Sequence, residues 1–167
     1  PRELTLEAIE GLNLLMESGV SLVNQTPMVK GVNDDPEVLA ELFSKLSYIG
    51  VPPYYVFLCR PTLGNETYSV PVERGYEIFE KSRTLCSGLA KRARLVMSHE
   101  SGKIEAVGMT EDQIFFKFLR AADKINDARF MAFFRNPEAC WFDDYQEASE
   151  EFSLFASNKT CETGISS

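Results

Sequence analysis

The apolar positions of residues 1–90 alternate between two periods. Ile9, Leu12, Leu15 and Met16 recur at helical spacing, with Thr5 as N-cap, Glu7 in the first turn and Gly19 as the stop. "VSLVNQTPMV" follows at once, β-branched and apolar, with Asn24, Gln25 and Thr26 toward its far end, and predicts a buried strand. "KGVNDDPE" is a loop that closes on Asp35 as N-cap and Pro36 at the first helical position. Leu39, Leu42, Phe43, Leu46 and Ile49 then mark the apolar face of a helix ended by Gly50. "PPYYVFLCR" predicts a second apolar strand, and the polar loop "PTLGNETYSVP" leads into a third helix from near Val72 to Cys86. Beyond Lys91 the pattern changes. "ARLVMSHE", "KIEAVGM", "QIFFKFL" and "RFMAFFR" are short apolar runs separated by turns, which predict a small antiparallel sheet. Trp141 and Phe142 are expected to dock its end onto the body, and residues 146–167, acidic and rich in Ser and Thr, read as a mobile tail.

Helix and strand alternating through short connections predict an α/β fold with parallel strands, either an open sheet or a (β/α) barrel. The chain then divides into residues 1–90 as the α/β part, 91–145 as an appended β-rich segment, and 146–167 as the tail. Two complete strand–helix units are only a fraction of an eight-stranded barrel. The chain also starts at Pro1 rather than methionine, so it reads as part of a longer polypeptide. Ligands in such folds bind at the C-terminal strand edge, and both Asn24–Thr26 and the pair Cys59–Arg60 are expected there.

Composition narrows the function. With 167 residues, 44% apolar and 25% charged, the chain suits one globular unit. A net charge of −8 leaves no basic stripe for phosphates, which argues against nucleic acid and against an anionic membrane surface. No window reaches the ~18 consecutive apolar residues of a spanning helix. Cys59, Cys86, Cys140 and Cys161 form no CxxC pair, so reduced thiols in a cytoplasmic protein are expected rather than a disulfide framework or a zinc site.

Three polar residues are candidates for chemistry. "RLVMSHESGKIEAVG" holds the chain's only histidine, His99, and places Lys103 on a Gly-Lys turn. On its residues alone, Lys103 reads either as a solvated turn residue or as an amine that holds an aldehyde cofactor. Gln25 is either a strand-capping polar group or a ligand contact, since an amide both donates and accepts. Arg60 is either a solvated loop residue or a partner for a carboxylate or phosphate.

Three stretches together resemble the lysine 2,3-aminomutase family of radical S-adenosylmethionine enzymes. They are "GVSLVNQTPMVKGVNDDPEVLAELFSKL", "PPYYVFLCR" with the following "VPVERGYEIFEKSR", and "LVMSHESGKIE", in the family's order and spacing over residues 1 to about 110. The resemblance implies the C-terminal part of a (β/α) barrel that uses S-adenosylmethionine, a [4Fe-4S] cluster and pyridoxal phosphate to move an amino group between neighbouring carbons. It implies that Gln25 contacts S-adenosylmethionine and that Lys103 holds pyridoxal phosphate as a Schiff base. Residues 91–145 would cover cofactor or substrate.

The chain departs from that pattern at named places. The family's glycine-rich turn is here "SHESGK", and Arg60 stands where members acting on lysine carry an aspartate, so the expected substrate is amino-acid-like but not free lysine. Asp35 replaces a zinc-ligating cysteine of some members, and the CxxxCxxC motif that holds the cluster is absent from the chain. The cluster is therefore expected from a missing N-terminal half, and the exposed barrel edges of a fragment favour self-association as a homo-oligomer. A non-catalytic remnant that binds a small ligand or a partner is the alternative.

Overall fold

A computed structural model of the chain describes residues 2–148. Helix α1 (Leu6–Glu17) starts where the Thr5 side chain accepts from the Ala8 N–H, and helix α2 (Pro36–Tyr48) starts where Asp35 accepts from the Glu37 and Val38 N–H groups. Both caps satisfy amides that have no partner within the helix. Strands β1 (Asn24–Met28) and β2 (Pro53–Leu58) flank α2, and helix α3 (Val72–Thr84) follows the exposed loop after β2. Strands β3 (Arg94–His99), β4 (Gly102–Met109), β5 (Gln113–Ala121) and β6 (Phe130–Phe134) complete the fold.

The six strands form one sheet in chain order, β1 to β6. β1, β2 and β3 are parallel, and β3 to β6 form an antiparallel meander. The α/β class and the meander agree with the sequence pattern. The join between them was not readable: β3 pairs in parallel with β2, Tyr55 opposite Arg94 and Phe57 opposite Val96, so one sheet runs across residues 90–94.

β1 begins at Asn24 rather than Val20. Its partner begins at Pro53, opposite Asn24, so the residues before Asn24 have no strand to pair with. Leu22 packs instead with Leu12 and Met16 of α1 against Leu42 and Leu46 of α2. As a result Asn24, Gln25 and Thr26 lie at the start of the strand, not at its C-terminal end.

Helices α2 and α3 cover one face of the sheet. Leu39, Phe43, Ile78 and Phe79 pack there on Val56, Leu95, Met97, Ile104 and Phe116. A strap of residues 136–145 closes this side. The Val72 N–H donates to the Ala139 carbonyl, and Trp141 and Tyr145 are buried in the core with Phe142 against it, the docking expected of Trp141 and Phe142. Residues 146–148, the first of the expected tail, pair with β6 through Phe134 N–H to Gln146 O and Ala148 N–H to Ala132 O. The remainder of that segment lies outside the described residues. Among the described residues no helix is long and apolar enough to cross a membrane.

Candidate active site

Strand alternation sends every second side chain to the face opposite α2 and α3. Gln25 on β1, Tyr55 and Phe57 on β2, Arg94 and Val96 on β3, and Lys103 and Glu105 on β4 occupy it, by register and by burial. None of these joins the hydrophobic cores that the helices build.

Lys103 pairs with Ser98 near the end of β3, yet its Nζ lies 4.3 Å from the Tyr55 ring centroid and 5.3 Å from that of Phe57. Both rings belong to β2, so the lysine chain crosses β3 to reach them. Val96 of β3 is fully buried and Tyr55 is only 8% exposed. Among the described residues neither joins a core built by the helices. The Tyr55 hydroxyl donates to the Tyr54 hydroxyl at 3.1 Å, and burial, with Tyr54 beside it, pushes the Tyr55 phenol up to about 12. Glu105 is half-buried. Burial raises its carboxyl above the usual range, and the Arg94 guanidinium at 3.7 Å opposes that rise.

Gln25 is opposite Tyr55 in the parallel register and is exposed. Its neighbours Asn24 and Thr26 satisfy each other, the Thr26 hydroxyl donating to Asn24 Oδ1 at 2.7 Å. Gln25 is thus the register partner of the tyrosine whose ring meets the Lys103 amine. Arg60 is not part of that group. It follows the end of β2 and is exposed at the rim, while its neighbour Cys59 donates its thiol proton to the Met28 carbonyl.

The bulk in the "SHESGK" turn is directed away from Lys103. The His99 side chain is 7% exposed and packs beside Trp141 and Phe142 on the helix-covered side. Its Nδ1 accepts from the Ser101 N–H at 3.1 Å and lies 2.6 Å from Ser101 Oγ, which leaves Nε2 as the donor to Asp143 at 3.0 Å. Gly102 answers a demand from the neighbouring strand. Its φ is 141°, and a Cβ there would collide with the Arg120 carbonyl oxygen of β5 and sit 2.7 Å from the Ala121 Cα.

Tyr55, Phe57 and Glu105 escaped the sequence reading as site residues. Their only signal was the two-residue spacing that puts each pair, Tyr55 with Phe57 and Lys103 with Glu105, on one strand face. Among the described residues no group of three His, Cys, Asp or Glu side chains could hold a metal ion, and Cys59, Cys86 and Cys140 are separate thiols.

No protein-family profile matches the chain. It is 56% identical over 152 residues to "Putative L-lysine 2,3-aminomutase" of Aquifex aeolicus (strain VF5), covering 91% of this chain and 41% of that protein. It is 43% identical over 88 residues to "L-lysine 2,3-aminomutase" of Clostridium subterminale, covering 53% of this chain and 21% of that protein. It is 34% identical over 102 residues to "Glutamate 2,3-aminomutase" of Clostridioides difficile (strain 630), 61% of this chain and 24% of that protein. The chain thus spans less than half the length of each of these relatives. Likeness to aminomutases over nine-tenths of its length agrees with the three motifs quoted above, and the chain belongs to the lysine 2,3-aminomutase-like family.

Proposed function

We propose that this chain is the C-terminal part of a radical S-adenosylmethionine enzyme that shifts an amino group between neighbouring carbons of an amino-acid-like substrate. The observation that carries the reading is the Lys103 amine resting on the ring of Tyr55, the register partner of Gln25, on the face opposite α2 and α3. In a closed barrel that face is the interior.

The residues present suit two of the three groups such chemistry uses. Gln25 offers a donor and an acceptor beside Asn24 and Thr26, which bond each other, and so would hold the amino-acid end or ribose of S-adenosylmethionine. Lys103 would hold pyridoxal phosphate. Its amine rests on aromatic rings rather than on a carboxylate, and the His99 side chain lies on the other side of the sheet. When bound, these groups supply the hydrogen-abstracting agent and the carbonyl that carries the migrating nitrogen. The iron–sulfur cluster does not suit the described residues, and we assign its ligands to residues outside this chain.

Within the face the chain's own residues bind, orient and exclude water. Tyr55 and Phe57 make an aromatic floor beneath the lysine amine. Arg60 at the rim would pair with a carboxylate or phosphate on the substrate's far end, and it would repel a second ammonium. The relatives include both lysine and glutamate 2,3-aminomutases, so the preference for an acidic substrate rests on the charge of Arg60.

Borohydride reduction of the full-length protein with pyridoxal phosphate, followed by peptide mapping, tests the lysine's role. An adduct on Lys103 that disappears in Lys103→Ala is expected; labelling elsewhere only, or labelling unchanged in that variant, removes the role. A non-catalytic ligand-binding remnant is the second reading, favoured by the absence of CxxxCxxC from these residues. A coding sequence that carries the motif upstream of Pro1 decides for the enzyme, and one without it decides for the remnant.

A further inference from the structure

The structure assigns a resting place to the Lys103 amine: we propose that Tyr55 and Phe57 are positioning residues that hold it across β3 by contact with their rings, and that it must leave these rings to meet a carbonyl. The functional meaning of this rests on the proposed role of Lys103, but the docking itself does not.

A surface lysine ordinarily lays its stem on apolar area and carries its amine outward to water. Lys103 does the reverse. Its backbone sits near the end of β3, opposite Ser98, and its amine points back over the sheet to rings that pair with Arg94 and Val96. Both ring distances fall inside the ~6 Å reach of a cation–π contact. Glu105, on the same strand and face, is engaged by Arg94 instead. The rings are also fixed in advance. Tyr55 is bonded through its hydroxyl to Tyr54, with ring centroids 4.0 Å apart, and packs edge-on to Phe57 at 5.7 Å. Val96, between the two ring-bearing positions and the Lys103 strand, is fully buried on this face.

The test uses the full-length protein, reductively methylated with carbon-13 formaldehyde so that every lysine stays cationic, with the Lys103 signal identified by its loss in Lys103→Arg. The expected Lys103 methyl resonance lies upfield of the exposed lysines, moved by the ring currents of Tyr55 and Phe57. Tyr55→Leu returns it to the exposed envelope and Tyr55→Phe, which keeps the ring, does not. On unmethylated protein, Tyr55→Leu speeds borohydride-trapped adduct formation with pyridoxal phosphate about twofold to fivefold, the factor that a cation–π contact of ~0.5–1 kcal/mol represents. Phe57→Leu serves the same comparison if Tyr55→Leu does not fold. A wild-type resonance inside the exposed envelope, or one unmoved in a folded ring-deleted variant, overturns the inference. An adduct on Lys103 without the upfield signal would sink the docking and leave the proposed function standing. The upfield signal without any adduct would sink the pyridoxal role and leave the docking standing.

Discussion

Gly102 shows how a residue chosen for one reason can be required for another. Its φ of 141° and the overlap that any side-chain carbon would make with the Arg120 carbonyl mean that β5 backbone, not a ligand, excludes a side chain here. Gly102→Ala is expected to lower stability by about 3 kcal/mol, read as a shifted urea midpoint, because strain and overpacking act together. A smaller loss would show that the hairpin relaxes. Tyr55 sets a pH dependence. A phenol raised from its ordinary value near 10 to about 12 is held neutral by the fold, so its contribution is complete below pH ~10 and is lost as the pH climbs toward 12. Denaturation midpoints of the native protein should therefore fall more steeply over that interval than those of Tyr55→Phe; parallel curves would refute it. At this scale the motifs single out Gln25 and Lys103 as candidates, and the register puts both on one face of the sheet. The contact of Lys103 with the Tyr55 ring was not legible, because spacing along a strand says which face a side chain joins and nothing about which strand it reaches. The partner of His99, Asp143, lies 44 positions away, beyond any local pattern.

The helices were legible almost to the residue at their starts. Thr5 and Asp35 are polar caps before apolar periods, and each side chain bonds the amides that its position implies. The start of α3 depends on something no periodicity reveals. Glu73, 2% exposed in the first turn, accepts from the Asn136 N–H at 2.7 Å and from Arg135 Nε at 2.9 Å, which ties the strap to the helix. Glu73→Ala leaves the Asn136 N–H without its acceptor and takes one partner from the partly exposed Arg135 guanidinium, which keeps the Thr110 and Glu111 carbonyls, and should cost about 1–3 kcal/mol in chemical denaturation. Glu73→Gln, which keeps one acceptor, should cost less, and equal losses would show that packing rather than the ion pair matters. The early start predicted for β1 failed for a related reason. Val20 to Val23 have strand chemistry, but a strand exists only opposite a partner, and β2 begins too late to supply one.

At the scale of the molecule, the class of fold was readable from alternation, while the strand order was not, since apolar runs do not name their neighbours. The two outer strands of the sheet are treated differently. β6 is met by residues 146–148, whereas among the described residues β1 pairs with β2 alone. An open outer strand recruits other chains. Residues 1–167 produced alone are therefore expected to associate with rising concentration in sedimentation velocity, and a single monomer boundary at every concentration would count against this. The parallel pairing of β2 with β3 has a further consequence for recombining relatives. The hairpin that bears Lys103 hangs from the same hydrogen-bonded wall as Tyr55, so it is not a cassette that can be exchanged without rebuilding the Arg94–Val96 seam. Residues 60–68 are exposed throughout and carry Arg60. That loop is where chimaeras could trade substrate preference while the lysine and its aromatic floor are inherited intact.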